Sequence, residues 1–223
     1  MKPYEMALDD VLTRIENVRT RVNQHQIIKL VAVSKSVDTP AVEAMYQNGQ
    51  RAFGENRVQE LKRKSDILSE LPLEWHFIGR LQTNKINQLI DLRPSLMHSC
   101  DGLEMAQEIN KRLAVKETTL NVLLQINSAK ETVKAGVDTE SAIDIYHEIQ
   151  ATCPHLKLKG VMSIGAHSDE TKMILRSFEE TYRVYEKLEK DGATICSMGM
   201  SDDFELAVEC GANMLRLGSI LFK

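Results

Sequence analysis

The chain has 223 residues, 43% of them apolar and 27% charged, with a formal net charge of −4. That length suits one domain with a large core, and mild acidity without a dense Lys/Arg run argues against a nucleic-acid footprint. No stretch approaches 18 uncharged apolar residues and the opening MKPYEMALDD has no apolar signal core, so neither a membrane span nor export is expected.

Residues 5–24 place Leu8, Val11, Leu12, Ile15, Val18 and Val22 on one stripe, which predicts a leading amphipathic helix. The chain then alternates. Short apolar or β-branched runs at 28–34, 51–54, 74–79, 95–100, 120–126, 157–164, 193–198 and 213–217 predict strands. Helical patterns lie between them: Val58, Leu61, Leu68; Ala142, Ile145, Ile149; Leu175, Phe178, Tyr182, Tyr185, Leu188; and Phe204, Ala207, Val208.

Strands separated by helices of this length imply right-handed βαβ units and a parallel sheet. Eight of them imply an α/β fold closed as a single (β/α)8 barrel. The runs at 51–54 and 95–100 are short and leave an open doubly wound sheet as the alternative. Only GSILFK follows the eighth run, too little for an outer helix, so the leading helix is expected to cover that gap. With no Gly/Ser linker or internal repeat, residues 1–223 read as one domain, with a leading helix over 1–26 and a barrel over 27–223.

None of the four cysteines forms a C-x-x-C pair and no histidine cluster has ligand spacing, so disulfides and metal sites are not expected. A reduced, cytoplasmic setting fits best. The basic run Lys62-Arg63-Lys64 is expected on a solvated helix face. No long exposed apolar stripe is evident, which makes a monomer the expectation.

Polar residues gather where the strands run out, the end at which such barrels carry their sites. KLVAVSKSVDTP puts Ser34 and Lys35 at the end of the first strand, just before a helix start at Thr39 and Pro40. Gly54, Glu55 and Asn56 follow the second. His76 lies in the third, with Gly79, Arg80 and Gln82 after it. Ser163, Gly165 and His167 follow the sixth. SMGMSDDFELA ends the seventh with Gly199 and predicts a helix start at Ser201-Asp202-Asp203, with Ser201 or Asp202 as cap. RLGSI ends the eighth with Arg216, Gly218 and Ser219. Two small-residue loops side by side can present free backbone N–H groups to a phosphate, and the last two strands are where these barrels commonly hold one. Either loop alone is better explained by an ordinary turn; the two together, beside Lys35, favour the phosphate reading. Lys35, if it faces a partly desolvated pocket, is a candidate amine for a Schiff base, because burial favours the neutral form. From position alone a solvent-exposed strand-end lysine is the commoner case. Arg216 only donates hydrogen bonds, so a pyridine nitrogen facing it would stay unprotonated and the ring would be a weak electron sink.

LVAVSK, FGENRVQE, EWHFIGRLQTNK, LLQINSAKETVKAG, KGVMSIG and SMGMSDDFELAVECGANMLRLGSILF occur in order from Leu30 to Phe222. With these six blocks the chain resembles the pyridoxal 5′-phosphate (PLP) homeostasis proteins, which share the barrel of the alanine racemase N-terminal domain. The resemblance implies PLP held as an internal aldimine on Lys35, Asn56 near the ring's substituents, and Gly199, Met200 and Ser201 at the cofactor or its phosphate. It also implies Arg216 opposite the pyridine nitrogen, with Gly218 and Ser219 at the phosphate. Lys85 and Lys134 fall in the family's motifs, but a surface lysine is the simpler account of each. Relatives often continue past LFK with a glycine and a basic tail, and often have threonine where Ser219 stands.

In alanine racemases a second domain supplies an opposing base; nothing is expected to match it after the eighth strand here. A cofactor carrier or buffer in vitamin B6 and amino-acid homeostasis is therefore expected, with PLP and apo PLP-dependent enzymes as partners and without strong catalysis. Two alternatives stay open. One is a low-activity PLP-dependent racemase or lyase using His76, His167 or Cys100 as base. The other is a class I aldolase, which would need a carboxylate or second lysine beside Lys35.

Overall fold

The structure is a computed structural model that describes residues 2–129 and 135–222. Lys134, one of the motif lysines, lies outside the described residues.

Eight strands pair in parallel, each with the next, and the eighth closes on the first. They are β1 (Lys29–Val33), β2 (Ala52–Glu55), β3 (Glu74–Phe77), β4 (Leu96–Cys100), β5 (Leu120–Ile126), β6 (Leu156–Ser163), β7 (Ile195–Ser197) and β8 (Met214–Leu217). Closure excludes the open sheet. The short runs are full members: β2 registers Gly54 against His76 of β3, and β4 registers Met97 against Val122 of β5.

The strands are largely apolar because most of their residues are buried on one face or the other. Val31, Ala52, Leu96, Leu123, Met162 and Met214 fill the lumen. Their neighbours of opposite parity, such as Ala32, Phe53, Met97, Leu124, Val161 and Leu215, pack outward under the helices. Those helices are α2 (Thr39–Gln47), α3 (Val58–Ile67), α4 (Ile86–Leu92), α5 (Leu103–Val115), α6 (Ala142–Thr152), α7 (Thr171–Leu188) and α8 (Phe204–Glu209), preceded by α1 (Lys2–Val22). Asp38 accepts the Thr39 N–H at the start of α2, with Pro40 in its first turn.

No outer helix follows β8 among the described residues. α1 takes that place, packing against both α8 and α2. Its Leu8, Val11, Ile15 and Val18 are buried, and Arg14 pairs with Glu205 of α8 at 3.0 Å while lying over the Phe204 ring. No described helix is long and apolar enough to cross a membrane.

Lys64 corrects one expectation. It is not on a solvated face but 1% exposed, on the same helical stripe as Leu61 and Leu68. Its ammonium donates to Glu55 Oε1 at 2.6 Å and to the Ser34 carbonyl at 2.7 Å. The Ser34 hydroxyl donates to that same carboxylate oxygen at 2.6 Å. The three groups form a closed polar knot between β1, β2 and α3, on the outer side of the barrel wall.

Candidate functional site

The residues singled out at the strand ends share one rim. Val31 and Val33 alternate with the outward-facing Ala32, and Lys35 continues their parity just past the end of β1. Lys35 itself lies in a turn and is solvent-exposed, so the chain does not provide the partly desolvated setting expected for it. The backbone leading into it is held on both sides. Ser34 N–H donates to the Gly54 carbonyl, and Ser34 C=O receives the buried Lys64 ammonium.

β8 lies beside β1, with Arg216 in register with Val31. Arg216 is 5% exposed, and burial lowers its pKa to about 10, which still leaves it protonated at neutral pH. Its two terminal nitrogens donate to Ser197 Oγ at 2.7 Å and to the Ser163 carbonyl at 2.8 Å. Its backbone N–H donates to the Gly199 carbonyl, tying β8 to the loop after β7. Gly199 has φ +95°, and a Cβ there would meet that of Ala207 at 2.7 Å, so only glycine makes this turn.

The two final loops meet at a hydroxyl. Ser201 Oγ accepts the Gly218 N–H at 3.2 Å and the Ile220 N–H at 3.4 Å. Two backbone donors converging on one oxygen make an arrangement that also suits an oxygen of an anion. Ser219 is exposed between them. The helix start differs from expectation: residues 201–203 form a turn and α8 begins at Phe204. Neither Ser201 nor Asp202 is its cap. Asp203 occupies that position, and its carboxylate accepts the Met200 N–H at 2.6 Å, while burial raises its pKa. Gly218 packs against Val33, which brings this last loop beside the strand that carries Lys35.

Asn56 follows β2, whose Gly54 registers with Val33. A Cβ on Gly79 would sit 2.0 Å from the Asn56 carbonyl oxygen, so a glycine is needed where the β2 and β3 loops touch. Asn56 lines a cavity of about 490 Å³ with Arg57, Arg80, Gln82 and Lys85. Lys85 is half-buried there rather than a free surface lysine. A second cavity, of about 250 Å³, opens between the ends of β3 to β6 and is lined by Ile78, Gln125, Met162 and Ile164.

The candidate bases fare differently. His76 is buried, with Nε2 against Glu74 at 3.0 Å and Nδ1 against His98 at 2.8 Å, so both ring nitrogens are occupied inside the lumen. Cys100 is fully buried, and desolvation pushes its thiol up to about 12. His167 is exposed on the loop between β6 and α7. The Glu55–Lys64 knot and the His76–His98 pair are the features that reading from strand ends missed. Lys64 had a signal, since it falls on an otherwise apolar helical stripe.

The chain matches the family model described as "Alanine racemase, N-terminal domain" over residues 6–223. It is 52% identical to the pyridoxal phosphate homeostasis protein of Helicobacter pylori over the full length of both. Among solved structures it is similar to PipY of Synechococcus elongatus with PLP bound, at TM-score 0.80 and 29% identity, covering 95% of this chain and 99% of that one. An alanine racemase from Clostridium difficile shares the fold at TM-score 0.78 and 17% identity, with 99% of this chain spanning 56% of the racemase. The chain belongs to the pyridoxal phosphate homeostasis protein family.

Proposed function

We propose that this protein holds PLP as a Schiff base on Lys35 and acts as a carrier or buffer of the cofactor, without strong catalysis of its own. One observation carries the reading. The lumen-side parity of β1 ends on Lys35, beside a strand whose Arg216 is a buried donor and whose following loop shares a convergent pair of N–H groups with Ser201. The PLP-bound PipY structure and the names of the full-length relatives support it.

The residues fit the group. The amine of Lys35 can condense reversibly with an aldehyde, releasing water. With the Ser201 hydroxyl turned aside, the N–H groups of Gly218 and Ile220 that it accepts can serve a phosphate, with the hydroxyls of Ser201 and Ser219 as further donors, and Met200 and Asn56 border the site. Arg216 can donate to a ring nitrogen but has no acceptor to offer a proton on it. PLP supplies an electrophilic carbon and an electron sink, and with an unprotonated ring nitrogen that sink is weak. Release to apo-enzymes then needs only exchange of one amine for another at Lys35. We also propose that the protein works as a monomer in the cytoplasm.

The alternatives find less support. A racemase needs a base within reach of the proton it moves. His76 is committed on both nitrogens, and Cys100 stays a thiol. An aldolase would need a carboxylate or second lysine beside Lys35. Lys64 and Glu55 both bond to the neighbouring Ser34, but they also bond to each other, on the outer side of the wall.

Titrating the apoprotein with PLP tests the reading. The wild type should develop the absorbance band of a lysine-bound aldehyde, and Lys35→Ala should not. Alanine racemisation, followed by circular dichroism, should stay at the level of free PLP. A band in Lys35→Ala would contradict the site, and rapid racemisation would contradict the carrier reading.

A further inference from the structure

A buried polar chain crosses the lumen from Arg216 to the opposite end of the barrel. Arg216 donates to Ser197 Oγ at 2.7 Å. Ser197 Oγ lies 3.2 Å from His98 Nδ1, His98 Nε2 lies 2.8 Å from His76 Nδ1, and His76 Nε2 lies 3.0 Å from Glu74 Oε1. Glu74 also receives the Lys29 ammonium. The Ser197–His98 contact joins β7 to β4 across the barrel, and both residues are fully buried.

The chemistry of the two ends sets the direction of every bond between them. Glu74 is held ionised, its pKa lowered to about 2 first by the contact with His76 and then by Lys29. An ionised carboxylate only accepts, so His76 carries its proton on Nε2. Burial keeps both imidazoles neutral. His76 Nδ1 is therefore an acceptor and must receive the Nε2 proton of His98. That leaves His98 Nδ1 as an acceptor for the Ser197 hydroxyl. Ser197 can give its proton there because its oxygen already accepts from Arg216, which only donates. One assignment satisfies every group, with both histidines as Nε2–H tautomers.

We propose that Ser197 and His98 are positioning residues that fix the guanidinium of Arg216 through this one-directional relay, so that its remaining donors are presented to the cofactor's ring nitrogen. The inference rests on the PLP reading for the role of Arg216, but the relay itself belongs to the protein alone. The relay reaches no further than Lys29 and Glu74, and it moves no proton.

Two measurements separate the relay from the PLP reading beneath it. In ¹⁵N-histidine NMR of the apoprotein, His76 and His98 should both report neutral Nε2–H tautomers. A cationic ring, or an Nδ1–H tautomer at either residue, overturns the relay whatever the cofactor does. In the loaded protein, Ser197→Ala should shift the cofactor band and weaken PLP binding about tenfold, the order expected for losing a hydrogen bond to a charged group. Borohydride should still trap the cofactor on Lys35, and Ser197→Thr, which keeps the hydroxyl, should restore band and affinity. A wild-type band and affinity in Ser197→Ala overturn the positioning role. Failure of the wild type to bind PLP would instead sink the role given to Arg216, and the tautomers would still decide whether the relay exists.

Discussion

Replacing Arg216 with glutamate would reverse the demand made on a ring nitrogen, since a carboxylate accepts where the guanidinium donates. Arg216→Glu is expected to change the absorbance of the loaded protein by favouring a protonated ring; an unaltered spectrum would remove Arg216 from the site. Lys64 gives a second test at this scale. Its ammonium is the sole charge partner of the fully buried Glu55 among the described residues, and Glu55 Oε2 already has no hydrogen-bond partner. Lys64→Ala should therefore cost about 3–5 kcal/mol, the range for breaking a buried pair by removing one member. Urea unfolding measures this; a loss below about 1 kcal/mol would mean that solvent reaches the carboxylate. The rim positions of Lys35, Ser201 and Gly218, just past strand ends, and of Arg216, near the end of its strand, were legible in the sequence because each is set by where a strand stops. The knot and the relay were not. Lys64 meets Glu55, 9 positions away, only once α3 folds back on β2; His76 meets His98, 22 away, only once β3 pairs with β4; and Ser197 meets His98, 99 away, only across the closed barrel.

Among the elements, the strands were the most legible, because two buried faces make a parallel strand a mostly apolar run. Their ends were less so. β3 stops at Phe77, short of the run's end at Gly79, where the chain must pass against the backbone of Asn56. The loop after β7 reads as a helix start but forms a turn, since Ser201 is drawn to the β8 loop and Asp203 to Met200. Gly160 shows how an element depends on one residue. It adopts φ +142° where the β5–β6 register shifts, and a Cβ there would lie 1.9 Å from the Ile195 carbonyl oxygen. Gly160→Ala should disrupt the β6–β7 pairing, lowering stability by more than about 1 kcal/mol. Hydrogen exchange checks this: amides of β7 should lose protection first, and unchanged protection there would contradict the steric argument.

For the whole molecule, the buried histidines set a pH dependence. Burial lowers the folded-state pKa of His76 and His98 below the ordinary 6.5. Above that pH both are neutral whether the chain is folded or not. Below it, the unfolded chain takes up protons that the barrel refuses, and stability falls by up to about 1.4 kcal/mol per pH unit for each. Glu74 adds a later loss, between its ordinary 4.5 and about 2. The melting temperature of the apoprotein should thus decline between pH 7 and 5, before the carboxylate range; a flat profile there would contradict neutral burial. Barrel closure also underlies the proposed Schiff base, because it alone sets the end of β1 beside β8 and its loop. Reducing the PLP-loaded protein with borohydride and mapping its peptides reads that bond itself. A single pyridoxyl phosphate adduct is expected on the peptide containing Lys35; an adduct on another lysine with Lys35 unmodified would contradict the assignment.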